Sequence, residues 1–103
     1  MSPNFDLGQI TSFQWDEGNA RKSEERHEVS QAEAEQVFAN ELPLIVPDIQ
    51  HSQYEQRYNA LGITAFGRLL HVTFTLRNDS TAIRVISARD MSRRERNRYA
   101  QET

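Results

Sequence analysis

Residues 58–89 constrain the fold more than any other part of the chain, because they read as three consecutive β-strands joined by turns. The runs 58–64, 68–76 and 82–89 are separated by Ala65-Phe66-Gly67 and Asn78-Asp79-Ser80, both short turn-forming connections. That pattern predicts an antiparallel meander. In the middle run Leu70, Val72, Phe74 and Leu76 fall on one face, and Leu69, His71, Thr73 and Thr75 on the other. One face therefore seeks a helical cover, and the other is expected to be partly wet.

The flanking segments supply the cover. Residues 10–15 alternate apolar and polar and predict a short strand, after which Asp16 is a fitting N-cap for a helix running to about Arg26. That helix is polar nearly all round, so it is short, exposed or held by a partner. Ser30 followed by Glu33 forms a capping box, and Ala32, Ala34, Val37 and Phe38 lie at helical spacing, predicting a second helix over 31–40. Residues 42–46 read as a short strand or extended segment ended by Pro47-Asp48, and 49–55 as a loop. Ser92 with Glu95 is another capping box, opening a C-terminal helix that carries Arg93, Arg94, Arg96, Arg98 and Tyr99. The expected architecture is α+β: a four-strand antiparallel sheet with two N-terminal helices and a C-terminal helix stacked on one face. At 103 residues it is expected to be one domain over 1–103, with 1–10 as a loose arm.

Composition narrows the function. The chain has no cysteine, so disulfides, a thiol nucleophile and Cys-based zinc sites are excluded. The start of the sequence lacks a basic region followed by an apolar run, and no stretch approaches the roughly 20 apolar residues of a membrane span. A cytoplasmic protein without membrane contact is expected. The net charge of −3 conceals an asymmetry. Residues 1–56 hold eleven acidic and three basic residues, a net −8, whereas residues 57–103 hold four acidic and nine basic, a net +5. All nine are Arg, and the only Lys of the chain is Lys22. Guanidinium groups bind phosphate bidentately and stack on bases, so this usage points to nucleic acid; a merely solubilising role is the alternative.

Six blocks, in order, resemble the BrnT family of toxins from type II toxin–antitoxin pairs. They are Phe13-Gln14-Trp15-Asp16-Glu17; His27-x-Val29-Ser30 with Glu33-Ala34 and Val37-Phe38; Pro47-Asp48 with Glu55-x-Arg57-Tyr58 and Leu61-Gly62. Then come Gly67-Arg68-Leu69-Leu70-x-Val72, Arg84-Val85-Ile86-Ser87-Ala88-Arg89, and Glu95-Arg96-x-x-Tyr99. Together they span about residues 13–99. The resemblance implies a RelE-like fold and a ribonuclease that cuts RNA and arrests translation. It also implies a BrnA antitoxin whose ribbon-helix-helix part binds operator DNA, so that the toxin meets DNA only through it. Four positions depart from the family's pattern: Asn19 replaces a usual Lys, Ser23 a usual Asn, and Arg26-His27-Glu28 a usual Lys-His-Gly. If the first helix contributed to the RNA surface, these changes would weaken cleavage. The alternative is therefore a non-catalytic toxin-fold protein serving as binding partner or co-repressor.

A metal-independent ribonuclease must activate the ribose 2′-hydroxyl, protonate the leaving 5′-oxygen and hold fixed positive charge at one phosphate. Arg57, Arg84 and Arg89 are the leading phosphate binders. Arg84 and Arg89 lie at odd separation on one strand, so a regular strand sends them to opposite faces; a bulge near Ser87-Ala88 would relax this. An ion pair of one of them with Glu95 or Asp48 is the structural alternative. Arg93 and Arg96, one helical turn apart, are candidates for a second phosphate contact, while Arg94 and Arg98 read as an exposed basic face. His27, in a matched block at a helix end, is the candidate for proton transfer, against the ordinary role of a histidine near helix C-terminal carbonyls. His51 and His71 read as ordinary loop and strand residues. Tyr58 and Tyr99 are candidates for base stacking or for core packing. The histidines lack close metal-ligand spacing, and no Gly-rich phosphate loop or nucleophile elbow occurs, so neither a metal nor a cofactor is expected.

Overall fold

The computed structural model describes residues 6–39 and 42–103. Strand β1 (Ser12–Trp15) leads into α1 (Glu17–His27) and α2 (Gln31–Ala39). Strands β2 (Leu44–Pro47), β3 (Arg57–Ile63), β4 (Leu69–Arg77) and β5 (Ala82–Asp90) follow, and α3 (Arg93–Glu102) comes last. Within the expected arm, residues 1–5 lie outside the described residues, whereas Leu7 and Ile10 pack against the core. Asn40, the expected end of the second helix, also lies outside them.

Capping chemistry places the helix starts. Asp16 accepts the Asn19 N–H at 3.1 Å. Glu33 N–H donates to Ser30 Oγ and Ser30 N–H to Glu33 Oε1, both at 3.1 Å. Ser92 and Glu95 make the same reciprocal pair at 3.2 and 2.9 Å. Each exchange satisfies donors that a helix leaves unpaired at its first turn.

The sheet corrects the expectation of a four-strand antiparallel, RelE-like arrangement. It has five strands in the order β1-β5-β4-β3-β2 and is mixed. β2 pairs antiparallel with β3 as an edge strand, so the segment before Pro47 is a strand and not merely extended. β1 runs parallel to β5, with Phe13 opposite Ile83 and Trp15 opposite Val85. A parallel pair needs a long crossover, and α1, α2 and the meander all intervene between these two strands.

The helices are also divided between the two faces of the sheet. α1 and α2 cover the face of Leu70, Val72, Phe74, Ile83, Val85 and Ala88, all fully buried with Ala34 and Val37. Phe38 of α2 meets Phe74 edge-on at 5.1 Å, and Tyr58 stacks on Phe74 at 5.5 Å. Where α2 crosses β3, a Cβ on Gly62 would lie 2.6 Å from Val37 Cγ1 and 3.3 Å from the Val37 carbonyl oxygen. Gly62→Ala is therefore expected to cost about 1–3 kcal/mol, read as a lowered urea midpoint; an unchanged midpoint would mean that α2 can lift away freely. α3 instead lies on the opposite face, where its Glu95 reaches Arg89 of β5. A helix whose residues are mostly charged has no stripe to bury on the apolar face, and it docks through ion pairs on the polar one.

The end of α1 is where Glu28 falls, at a backbone position that favours glycine. Glu28 caps the helix in the left-handed region, φ 55° and ψ 36°, the conformation glycine adopts at no steric cost. Arg68 clamps this end: its guanidinium donates to the carbonyls of Glu28 at 2.7 Å and His27 at 3.1 Å, to Glu33 at 3.0 Å, and to Asp90 at 2.8 and 3.1 Å. Glu28→Gly is expected to stabilise the fold by about 1 kcal/mol, seen as a raised thermal midpoint. A lowered midpoint would mean that the clamp, and not the backbone conformation, limits stability here.

Candidate functional site

A bulge in β5 decides the geometry of the arginines. Thr73 pairs with Ser87, but Phe74 pairs with Val85, so Ile86 has no partner across the ladder. The extra residue resets the alternation, and Arg84 and Arg89 point to the same face despite their odd separation. The cross-strand register then sets Arg57, Thr75 and Arg84 in one row, Asn59, Thr73 and Ser87 in the next, and Leu61, His71 and Arg89 in a third. All three candidate phosphate binders share the face opposite α1 and α2.

That face opens into a groove of about 460 Å³ lined by Asp48, Gln50, His51, Arg57, Asn59, His71, Thr73, Ile86, Ser87, Arg89 and Glu95. A second cavity of about 330 Å³ shares Gln50, His51 and Arg57 with it and extends to Gln53, Tyr54 and Glu55.

The three arginines are not equivalent. Arg89 makes a bidentate pair with Glu95 at 2.8 and 2.9 Å, so its guanidinium is already engaged. Arg84 lines neither cavity, and its one ion pair among the described residues is with Asp16, at 3.8 Å. Arg57 makes no side-chain hydrogen bond or ion pair among the described residues. Arg57 and Arg84 also lie near Glu55, whose carboxyl is held below its ordinary value first by its hydrogen bond from Arg77 and, more weakly, by their charges. Glu95 is depressed to about 2: burial opposes the shift, but bonds from Arg89 and the Ser92 N–H outweigh it. Burial, and then the charge of Arg89, pushes the His71 imidazole below its ordinary value. Its Nδ1 is buried without a hydrogen-bond partner among the described residues, and its Nε2 lies 3.7 Å from Glu95.

The β2–β3 loop adds a histidine–aspartate pair. His51 Nδ1 lies 3.1 and 3.0 Å from the two carboxylate oxygens of Asp48, whose side chain is 14% exposed against 62% for His51. With Nδ1–H donating to the carboxylate, Nε2 is left to accept a proton. The loop is clamped at its base: Asp48 N–H donates to the Arg57 carbonyl at 2.8 Å, Ser52 Oγ to the Asp48 carbonyl at 2.5 Å, and Arg57 N–H to Ser52 Oγ at 2.9 Å. The ring is therefore presented by a fixed backbone.

The other sequence candidates lie elsewhere. His27 is exposed at the end of α1 and lines neither cavity. Tyr58 is 7% exposed within the core, so its ring is not presented to a base. Tyr99 is half-buried on α3 and Arg93 is exposed, while Arg96 donates to the Met91 carbonyl at 3.0 Å. Arg94 and Arg98 are exposed, in line with an exposed basic face, and also border a cleft of about 210 Å³ with Val46, Asn59, Leu61, His71 and Glu95. Among the described residues no three His, Asp or Glu side chains are grouped to hold a metal ion, and no helix is long and apolar enough to cross a membrane. Sequence reasoning passed over His51 and His71. The three-residue spacing of Asp48 and His51 after a matched Pro47-Asp48 was the available signal for the first; that for the second was its place in the alternation of β4.

Among the described residues, three α-helices on a five-strand mixed sheet, with an open polar groove that holds Arg57, define a small α+β protein of the kind used as toxins in type II toxin–antitoxin systems. The family described as "Ribonuclease toxin, BrnT, of type II toxin-antitoxin system" matches residues 15–95, and the chain belongs to that family. Its fold is similar to the crystal structure of the Brucella abortus ribonuclease toxin BrnT, with a TM-score of 0.57 at 21% identity over 82% of this chain and 100% of that one. No curated protein matches the chain. Membership of a type II toxin–antitoxin family implies an antitoxin partner.

Proposed function

We propose that the groove binds and cleaves RNA in the cytoplasm without a metal ion, arresting translation. A BrnA-like ribbon-helix-helix antitoxin neutralises the toxin and alone contacts operator DNA. The observation that carries this reading is that Arg57 lines the groove beside the Asp48–His51 pair, while Arg84, outside the groove's lining, shares its cross-strand row and face. The arginines neutralise a phosphate without titrating and stabilise charge on its non-bridging oxygens as the phosphorane forms. His51 Nε2 takes the proton of the ribose 2′-hydroxyl. The 2′-oxygen attacks phosphorus, the bond to the 5′-oxygen breaks, and that oxygen takes a proton from solvent, leaving a 2′,3′-cyclic phosphate. Arg89 borders the groove and, through Glu95, fixes α3 beside it. Arg93, Arg96 and Tyr99 on α3 would extend RNA contact beyond the groove.

The binding-partner alternative rested on Asn19, Ser23 and Glu28. All three belong to α1 or its cap, on the far side of the sheet, and none lines the groove. Ser23 is 2% exposed, and its hydroxyl accepts the Ala88 N–H at 3.1 Å, where β5 continues past the end of β1. It serves the sheet edge. The test is incubation of the purified chain, free of antitoxin, with single-stranded RNA in EDTA. Products ending in cyclic phosphate, abolished by stoichiometric antitoxin, are expected. Intact RNA with antitoxin binding retained would establish the non-catalytic alternative.

A further inference from the structure

We infer that Tyr54 and the cavity beside it form a subsite for one unpaired base of a single-stranded RNA, adjacent to the phosphate taken by Arg57. The inference rests on the reading of the adjoining groove as an RNA site. Tyr54 is 99% exposed, so an aromatic ring is left in water at the mouth of a cavity. Gln50 and Gln53 line the same cavity, and their amides make no hydrogen bond among the described residues. An aromatic face with nearby amide donors and acceptors matches the two things a base offers: a π surface and a hydrogen-bonding edge.

Continuity with the groove supplies the second half. His51 and Arg57 line both cavities. The subsite therefore adjoins both the guanidinium and the imidazole, as a base adjoins the phosphate and ribose of its own nucleotide. The clamp of Asp48, Ser52 and Arg57 fixes the loop that carries Tyr54, so little backbone order is lost when a base stacks. A duplex keeps its bases stacked on one another, which restricts the ligand to loops, ends and single strands. Stacking is tolerant of base identity; the two glutamine amides would set any preference.

The experiment measures binding of a non-cleavable 2′-O-methyl oligoribonucleotide to the full chain by fluorescence anisotropy at fixed salt. A set of oligomers, each carrying one abasic position, is compared alongside. Tyr54→Ala is expected to weaken binding of the intact oligomer roughly tenfold, and Tyr54→Phe to retain it. Phe66→Ala, at an equally exposed aromatic (96%) on the β3–β4 turn, is expected to change nothing. One abasic position should weaken the wild type by the same factor and leave Tyr54→Ala unaffected. Tyr54→Ala binding within twofold of wild type overturns the inference, while wild-type cleavage would keep the groove as an RNA site. Wild type that neither binds nor cleaves RNA removes both. Loss of antitoxin affinity with RNA affinity unchanged overturns it in favour of a protein-docking role for the ring.

Discussion

Arg57→Ala is expected to lower the rate of RNA cleavage by about a hundredfold to a thousandfold, the usual cost of removing one preorganised donor from a developing oxyanion. Arg57 is the arginine of the groove without a side-chain partner among the described residues, so its removal strands no other charge and the fold should be kept. Arg84→Ala is expected to act in the same direction, since its one ion pair among the described residues, to Asp16 at 3.8 Å, is long. His51→Ala removes the proton acceptor and is expected to cost about 10²- to 10⁴-fold, with little change in RNA affinity. His27→Ala is the control that separates the sequence reading from the structural one. His27 lies exposed at the end of α1, outside both cavities, and its loss is expected to leave the rate within about twofold. Single-turnover cleavage separates these effects from binding. If Arg57→Ala and His51→Ala both cleave within threefold of wild type, the groove is not where RNA is cut.

The contrast between these two histidines shows what was legible in the residues. Local patterns were: the caps at Asp16, Ser30 and Ser92 and the three meander strands follow from side-chain spacing within a few residues, and their observed bounds shift by one or two positions. What was not legible depended on contacts between distant segments. The parallel pairing of β1 with β5 joins residues some 70 apart, and nothing in the strand of Phe13 and Trp15 distinguishes a parallel neighbour from an antiparallel one. The arginine site turned on one unpaired residue, Ile86. Without it, alternation separates Arg84 from Arg89; with it, they share a face with Arg57. The bulge was anticipated near Ser87-Ala88 as a condition, and the alternation by itself argued the other way. His71 was passed over because its alternation alone says face and not burial, and α3 buries it to 9% exposure.

The attachment of α3 should make stability strongly dependent on acid. Glu95 has a folded-state carboxyl near 2 against an ordinary 4.5, so the native state holds its proton less tightly than the unfolded chain. A depressed carboxyl contributes stability that is complete above the unfolded value and is lost as pH falls from about 4.5 towards 2. A shift of this size corresponds to at most about 3 kcal/mol, and partial exposure of Arg89 and Glu95 brings the expected contribution nearer 2 kcal/mol. Glu33, Glu55 and Asp90 are shifted the same way by Ser30, Arg77 and Arg68 and steepen the same limb. Glu95→Gln isolates one contribution, because it keeps the size of the side chain and discards the charge. The variant is expected to lose about 2 kcal/mol at pH 7 by urea unfolding and to show a shallower decline between pH 5 and 3 than wild type. His71 sharpens the effect: with Glu95 protonated, an imidazole facing Arg89 has no nearby anion on α3, and the helix loses its one charged hold on the sheet face among the described residues. Parallel pH curves for wild type and Glu95→Gln would show that α3 is held by something other than this carboxylate. They would also return Arg89 to the groove as a free phosphate binder.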